Sequence, residues 1–580
     1  WEARGFRFHL VGGPVEFVVA GGELARVSAR LVPAMVLVVG AVLALAFRSL
    51  AAAAGVLACV GLAVLGTLGL QGALGWPRNT LTELLPPLVL VMGVCDAVHL
   101  LTAHAAMRGR GLAPAPALRE AARRVGRPCL LTTLTTAAGF ASFVPGELQS
   151  FSRFGALAAA GVGLALGVTF GVLPLLAVRL PMGRAGGRVG GARLDTALAA
   201  LAAGARRRAG VVVVVGGLAG IAGALGFAAL RVEARFEDLY GEQSSVVRWA
   251  RVAAAHLREP ETLEVALIPP RGGLPPAPAT VQALARLEDE LGSLPGLAPG
   301  ISLLTPLRAA HELLYGGPLP LGDAERLASV FRLVRAEEPG LLRLLADPAS
   351  GAVRLSLQAS KLPQDELSAL RREVERRVAA ATPPGHTAEV TGAVIVVGRM
   401  IDAIRRTQLE SFAAAAAMVA LLVALLMRSV AAAVLAVVPT ALAVAVTLGG
   451  LGALRIPLDV GSAMVAAVVL GLAVDDAVHL LVAWRVHRAR GEPTDLAMQA
   501  AVRDVGRALV ATTVALAAGF ALLGAVPWRS IAGFGRVAAL AIAVALAANL
   551  VGLPALTALS ARAARALPRR APPRGPRRRP

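Results

Sequence analysis

The chain has 580 residues, 56% of them hydrophobic, and a formal net charge of +21. Soluble proteins average roughly 45–50% apolar residues; the excess here lies in runs long enough to cross a bilayer, for which roughly 17–25 residues suffice. The positive charge does not indicate nucleic acid as a partner, because it is almost all arginine, with Lys361 the only lysine, and it is concentrated in short loops between apolar runs.

In chain order, eleven runs are predicted to span, at 31–47, 50–73, 84–103, 128–144, 152–178, 209–230, 411–427, 430–452, 458–484, 508–527 and 533–559. Arginine-rich loops at 104–127, 179–208 and 485–507, with the arginine-rich tail after 560, alternate with poorly charged loops such as 71–80 and 145–151. By the positive-inside rule the arginine loops and the C-terminus are cytoplasmic. The long polar stretch then lies outside, in the periplasm of a two-membrane cell. The expected organisation is a remnant of a first extracytoplasmic domain at 1–30, a first membrane repeat of five spans at 31–180, and a cytoplasmic linker at 181–208. A spanning helix at 209–230 opens the second half, followed by an extracytoplasmic α/β domain at 231–410, a second membrane repeat at 411–560 and a basic tail at 561–580.

Within 231–410, segments 261–268, 352–358 and 387–392 alternate as strands, and 281–294, 324–336 and 365–381 have helical periodicity. Pro and Gly clusters at 269–278, 295–300 and 316–322 separate them. Cys59, Cys95 and Cys129 all fall in apolar runs, so no disulfide framework is implied for the exported domain.

An internal repeat underlies this organisation. VCDAVHLL at 94–101 recurs as VDDAVHLL at 474–481, and VGRPCLLTTLTTAAGF at 125–140 recurs as VGRALVATTVALAAGF at 505–520, both offset by 380. Arg48-Ser49 matches Arg428-Ser429, Phe154-Gly155 matches Phe534-Gly535, Gly12 matches Gly392 and Pro174 matches Pro554. By this symmetry a further helix and exported domain are expected ahead of Trp1, giving twelve spans in two halves of six. Parallel repeats are a transporter architecture with sites at the interface between halves.

Three aspartates sit inside predicted spans: Asp96, Asp475 and Asp476. Each costs roughly 2.5–3.5 kcal/mol at a helix centre and is expected to face the bundle interior, where such residues mark proton or ion pathways. His99 and His479 follow Asp96 and Asp476 by three residues, one turn along the same helix face. Carboxyl and imidazole groups can both exchange protons. Threonines on the neighbouring helices, Thr132, Thr133, Thr135 and Thr136 in one half and Thr512 and Thr513 in the other, can extend a relay. The competing readings are that Asp–His pairs only glue helices together and that the threonines bond only to their own backbone. Gly163, Gly167 and Gly171 form overlapping GxxxG spacings that suit close helix packing. His104 and His487, at cytoplasmic helix ends, suggest no special role.

Gly471-Leu472-Ala473-Val474-Asp475-Asp476 resembles the GxxxD[DY] motif of resistance–nodulation–division (RND) transporters. The likeness is to the branch that includes the MMPL family, hopanoid exporters and Patched-like proteins with a sterol-sensing-type bundle, and it covers nearly the whole chain. It implies a polytopic α-helical membrane protein with a duplicated RND-type bundle and an α/β extracytoplasmic porter domain. It also implies proton-driven export of a hydrophobic or lipid-like substrate from the inner (plasma) membrane. The implied protein is not an enzyme and has no cofactor or metal, protons being the coupling ion; membrane lipids and the substrate are its expected partners, with a homo-oligomer or a periplasmic accessory protein left open. The implied proton relay comprises Asp475, Asp476, Asp96, His479, His99, Thr512, Thr513, Thr132 and Thr133. The first half departs from the motif, with Cys95 at the position of Asp475 and Val91 at that of Gly471, so Asp475 and Asp476 are expected to be the principal site.

Two other functions fit parts of the sequence. A non-transporting lipid sensor or an export-system subunit could use the same bundle. An intramembrane aspartyl protease also places two aspartates on different spans, and Pro554-Ala555-Leu556 matches its tripeptide. The repeat mate Pro174-Leu175-Leu176 assigns that proline to the duplicated scaffold, and the GxGD signature is absent.

Overall fold

The computed structural model describes residues 13–79, 81–179, 191–230, 244–256, 262–270, 272–359, 364–459 and 461–566. Gly12, Lys361, parts of the predicted remnant and linker, 231–243 and most of the basic tail lie outside them. The chain forms two compact units, one containing Ser245–Ala403 and the other Glu16–Ser244 with Ile404–Pro580.

In chain order the helices begin with α1 (Gly13–Phe47), α2 (Leu50–Ala73), α3 (Leu85–Gly109), α4 (Pro114–Ala141), α5 (Gln149–Gly171) and α6 (Leu173–Arg179). Then come α7 (Gly191–Arg207) and α8 (Ala209–Ala228). The α/β unit holds α9 (Ser245–His256), β1 (Thr262–Ile268), α10 (Pro278–Gly292), β2 (Leu297–Ser302), α11 (Leu304–Tyr315), α12 (Ala324–Glu337), α13 (Pro339–Leu345), β3 (Val353–Ala359), α14 (Gln364–Ala381) and β4 (Thr387–Thr391). The second membrane series is α15 (Ala393–Leu426), α16 (Val430–Ala453), α17 (Val465–Ala489), α18 (Thr494–Leu523) and α19 (Arg529–Ala566).

The two series repeat in fine detail. Arg48 and Arg428 adopt left-handed backbone at φ 49° and 48°, a region rarely open to a residue with a side chain. Ser49 and Ser429 follow as N-caps, each Oγ accepting from an amide three residues on at 3.2 Å. Gly75 and Arg455, and Gly111 and Gly491, are left-handed at matching positions. Asn79 and Asp459 cap the entries to α3 and α17, their Oδ1 atoms accepting from the amides of Thr82 and Ser462 at 2.9 and 2.7 Å.

Among the described residues, ten helices are long and apolar enough to span a membrane. The eleventh predicted span, 128–144, is not among them. It falls at the end of α4, where Arg124, Arg127, Pro128 and four threonines dilute the apolar run. In the most apolar 18-residue stretches of the spans containing α3 and α17, 94% and 89% of the residues are buried within the protein, which makes them the central pair.

Glycine sets the closest helix approach, but not at the predicted stripe. A Cβ on Gly163, Gly167 or Gly171 would meet nothing within 4 Å, because that face of α5 points away from the bundle. The tight crossing is between α8 and α16. A Cβ on Gly223 would sit 2.6 Å from the Ala445 carbonyl oxygen, and one on Gly226 or Gly452 would strike the backbone of the opposite helix.

The α/β unit has a four-stranded antiparallel sheet in the order β2-β3-β1-β4. Leu263, Val265 and Leu267 of β1 alternate inward and pack with Leu355 and Leu357 of β3, Leu284, Leu287 and Leu291 of α10, and Val374 and Val378 of α14. The predicted strands at 261–268, 352–358 and 387–392 correspond to β1, β3 and β4. β2 lies in the stretch read from sequence as a Pro/Gly break. It tolerates Pro299-Gly300 because its register shifts between Ala298 and Ile301, where the Gly300 backbone lies against the Ser356 carbonyl. On the other sheet face, Arg354 donates two hydrogen bonds to Glu264, at 2.7 and 2.9 Å.

Candidate functional site

The predicted acids and imidazoles of α3 and α17 meet across the seam between the two halves. A small cavity there, with about 10 Å³ open to the centre of a water-sized sphere, has room for about one water molecule. Cys95, Asp96, Asp475, Asp476, Thr132 and Thr512 line it, together with His99 and His479. The imidazoles of His99 and His479 stack face to face across the seam, with ring centroids 3.7 Å apart and planes within 3°. A three-residue spacing places each His one turn beyond its Asp, and the duplication brings the two pairs together.

The threonines divide into two groups. Thr133 donates to Asp96 Oδ2 at 3.2 Å, from α4 to α3. Its repeat mate Thr513 faces Asp476, but its buried Oγ1 has no partner in hydrogen-bond geometry among the described residues. Thr132 and Thr512 line the cavity, yet their hydroxyls donate to their own helices, to the carbonyls of Cys129 and Leu509 at 3.0 and 2.9 Å. Thr135 likewise donates to Thr132 at 2.8 Å. Thr136 reaches across the halves: its Oγ1 lies 3.2 Å from Asp475 Oδ1 and 3.1 Å from the Gly471 carbonyl oxygen.

Asp96 and Asp476 each face a threonine of the neighbouring helix in their own half. Asp475 has both Asp96 and Asp476 as electrostatic neighbours.

Several participants were not picked out in sequence. The Cys129 thiol lies close to Asp96; its position among threonines on α4 was the available signal. Asn549, fully buried on α19, donates to the Ala473 carbonyl at 3.0 Å and ties α19 to the helix carrying the acids. His487, read from sequence without a role, bridges Glu492 and Asp504, its two ring nitrogens 2.8 and 3.0 Å from their carboxylates. Neutral imidazole has only one N–H, so both contacts to ionised carboxylates require the imidazolium. Among the described residues, no group of His, Cys, Asp and Glu is arranged to hold a metal ion.

Comparison with known proteins finds a family-model match over part of the chain. Residues 344–579 match the MMPL family model. Over 202 residues the chain is 30% identical to a Methanocaldococcus jannaschii protein named as a putative membrane protein. That match covers 34% of this chain and 52% of the relative, so the chain spans about half the length of the curated relative it matches. The protein is a multi-pass helical membrane protein, and residues 344–579, which carry Asp475, Asp476 and His479, are similar to the MMPL family.

Proposed function

We propose that this chain is part of an RND-type permease of the MMPL branch, in which proton movement through the seam drives export of a hydrophobic, lipid-like substrate. The observation that carries this reading is the meeting of three intramembrane carboxyl groups from both halves around one water-sized cavity. Among the described residues no arginine or lysine lines it, and carboxyl groups that share a site disfavour one another's ionisation. In this reading the site holds protons, and its hydrogen bonds to Thr133 and Thr136 connect proton occupancy to helix position. Asp475 and Asp476 are the principal carriers, with Asp96, His99, His479, Thr132, Thr133, Thr512 and Thr513 around them.

In this reading the protein lies in the inner (plasma) membrane with its C-terminus in the cytoplasm, the α/β unit is an extracytoplasmic porter domain, and the protein is not an enzyme. Intramembrane acids favour transport over a lipid sensor built on the same bundle, because such residues mark ion and proton pathways. The test is proton-gradient-dependent export of lipid or a hydrophobic dye by the full-length protein and by the double variant Asp475→Asn/Asp476→Asn. The variant is expected to fold and lose gradient-dependent export. Unchanged export would overturn the relay.

A further inference from the structure

Repeat symmetry gives the bundle two equivalent helix crossings, and the residues at them differ. At the crossing of α4 with α17, Gly139 and Gly471 let the backbones touch: a Cβ on Gly471 would lie 3.3 Å from Thr136 Cα, and one on Gly139 3.3 Å from Gly471 Cα. One turn further along, Thr136 meets Asp475. At the mirror crossing of α3 with α18, the mates of Gly471, Asp475 and Thr136 are Val91, Cys95 and Leu516. There Val91 packs against Gly519, so that a Cβ on Gly519 would lie 2.5 Å from a Val91 methyl. Cys95 and Leu516 line the cavity with no hydroxyl–carboxyl pair between them. All three differences remove the same device from one side.

The Thr136 hydroxyl is unlike its neighbours. Helical threonine commonly returns its proton to the carbonyl three or four residues back, as Thr132, Thr135 and Thr512 do. Thr136 instead faces two acceptors on the opposite half, Asp475 Oδ1 at 3.2 Å and the Gly471 carbonyl at 3.1 Å. A hydroxyl has one proton to donate.

We propose that Thr136 is a positioning residue that switches acceptor with the proton state of Asp475, a proposal that rests on the reading of Asp475 as a proton carrier. When Asp475 is ionised, Thr136 donates to its carboxylate. When Asp475 takes up a proton, its carboxyl O–H donates to Thr136 Oγ1, and the Thr136 proton turns to the Gly471 carbonyl. No proton is transferred to Thr136, and each state is fully hydrogen-bonded. The result is that α4 of one half is held to a side chain of α17 in one state and to its backbone in the other, at one crossing only.

The test is pH-difference infrared spectroscopy of the purified full-length protein in lipid nanodiscs, with Asp475→Asn identifying the Asp475 carboxyl band. In Thr136→Val, which keeps the shape and removes the hydroxyl, the protonated Asp475 band is expected to move to higher wavenumber, because its O–H loses its acceptor. Thr136→Ser is expected to restore the wild-type band. Thr136→Ala provides the same comparison if the valine variant does not fold. A titrating Asp475 band that stays in place without the hydroxyl would overturn the switch and leave the proton reading intact. Absence of any band removed by Asp475→Asn would overturn both.

Discussion

The tight crossing at Gly471 can be probed with the residue its own repeat mate carries. In Gly471→Ala the new Cβ would lie 3.3 Å from Thr136 Cα, 3.5 Å from the Thr136 carbonyl oxygen and 3.7 Å from Gly139 Cα. Carbon contacts are best at about 3.5–4.0 Å, so alanine asks the helices to part by a few tenths of an ångström. The helix-propensity gain of about 1 kcal/mol over glycine offsets that cost, and Gly471→Ala should be within about 1 kcal/mol of neutral. Gly471→Val adds two methyl groups about 1.5 Å further out, against backbone that cannot rotate away. Overpacking of that kind costs about 1–3 kcal/mol, and parting the helices also breaks the Thr136 bond, worth about 0.5–1.5 kcal/mol. The expected loss is about 2–4 kcal/mol, measured by equilibrium unfolding of the purified protein in mixed detergent–SDS micelles. Valine as well tolerated as alanine would refute the idea that α4 and α17 touch backbone to backbone there.

Other outcomes follow from the same geometry. Gly226→Ala should destabilise by about 1–3 kcal/mol, because its Cβ strikes the Gly449 backbone, whereas Gly163→Ala, with nothing within 4 Å, should be neutral or stabilising; paired melting curves decide. Asn549→Leu loses one bond to Ala473 but also removes a buried Oδ1 that has no partner among the described residues, so stability should change by less than about 1 kcal/mol; a loss above about 2 kcal/mol would contradict that balance. In the α/β unit, burial alone would raise the Glu264 carboxyl, but hydrogen bonds from Arg354, Thr262 and Ser356 hold it below its ordinary 4.5. A depressed folded value means the contribution is present above pH 4.5 and is lost as pH falls through the folded value. With Arg354 half exposed, the contribution is about 1 kcal/mol, and Glu264→Gln should flatten the acid-side loss of hydrogen-exchange protection in β1 and β3.

The duplication was legible because its register is free of gaps from about residue 12 to 155, so one conserved turn fixes the others. The meeting of Asp96, Asp476 and the two histidines followed from spacing plus symmetry. Which threonines face the acids was not legible: helix rotation is set by packing, and four threonines in five positions cover most of a turn of α4. Nor does sequence spacing indicate that α4 of one half crosses α17 of the other, so the Leu516–Thr136 mismatch had no visible link to the Cys95–Asp475 mismatch. β2 was hidden by Pro299-Gly300, residues that usually break strands and here fit a bulge against β3. The glycine stripe at 163–171 misled because small residues permit close approach without compelling it.

The stacked pair of His99 and His479 has an arithmetical consequence. Duplication supplies two imidazoles, but with centroids 3.7 Å apart two imidazolium charges would repel by about 4 kcal/mol even at an effective dielectric near 20. Twofold inheritance thus ends in a pair that holds one positive charge or none and belongs equally to both halves.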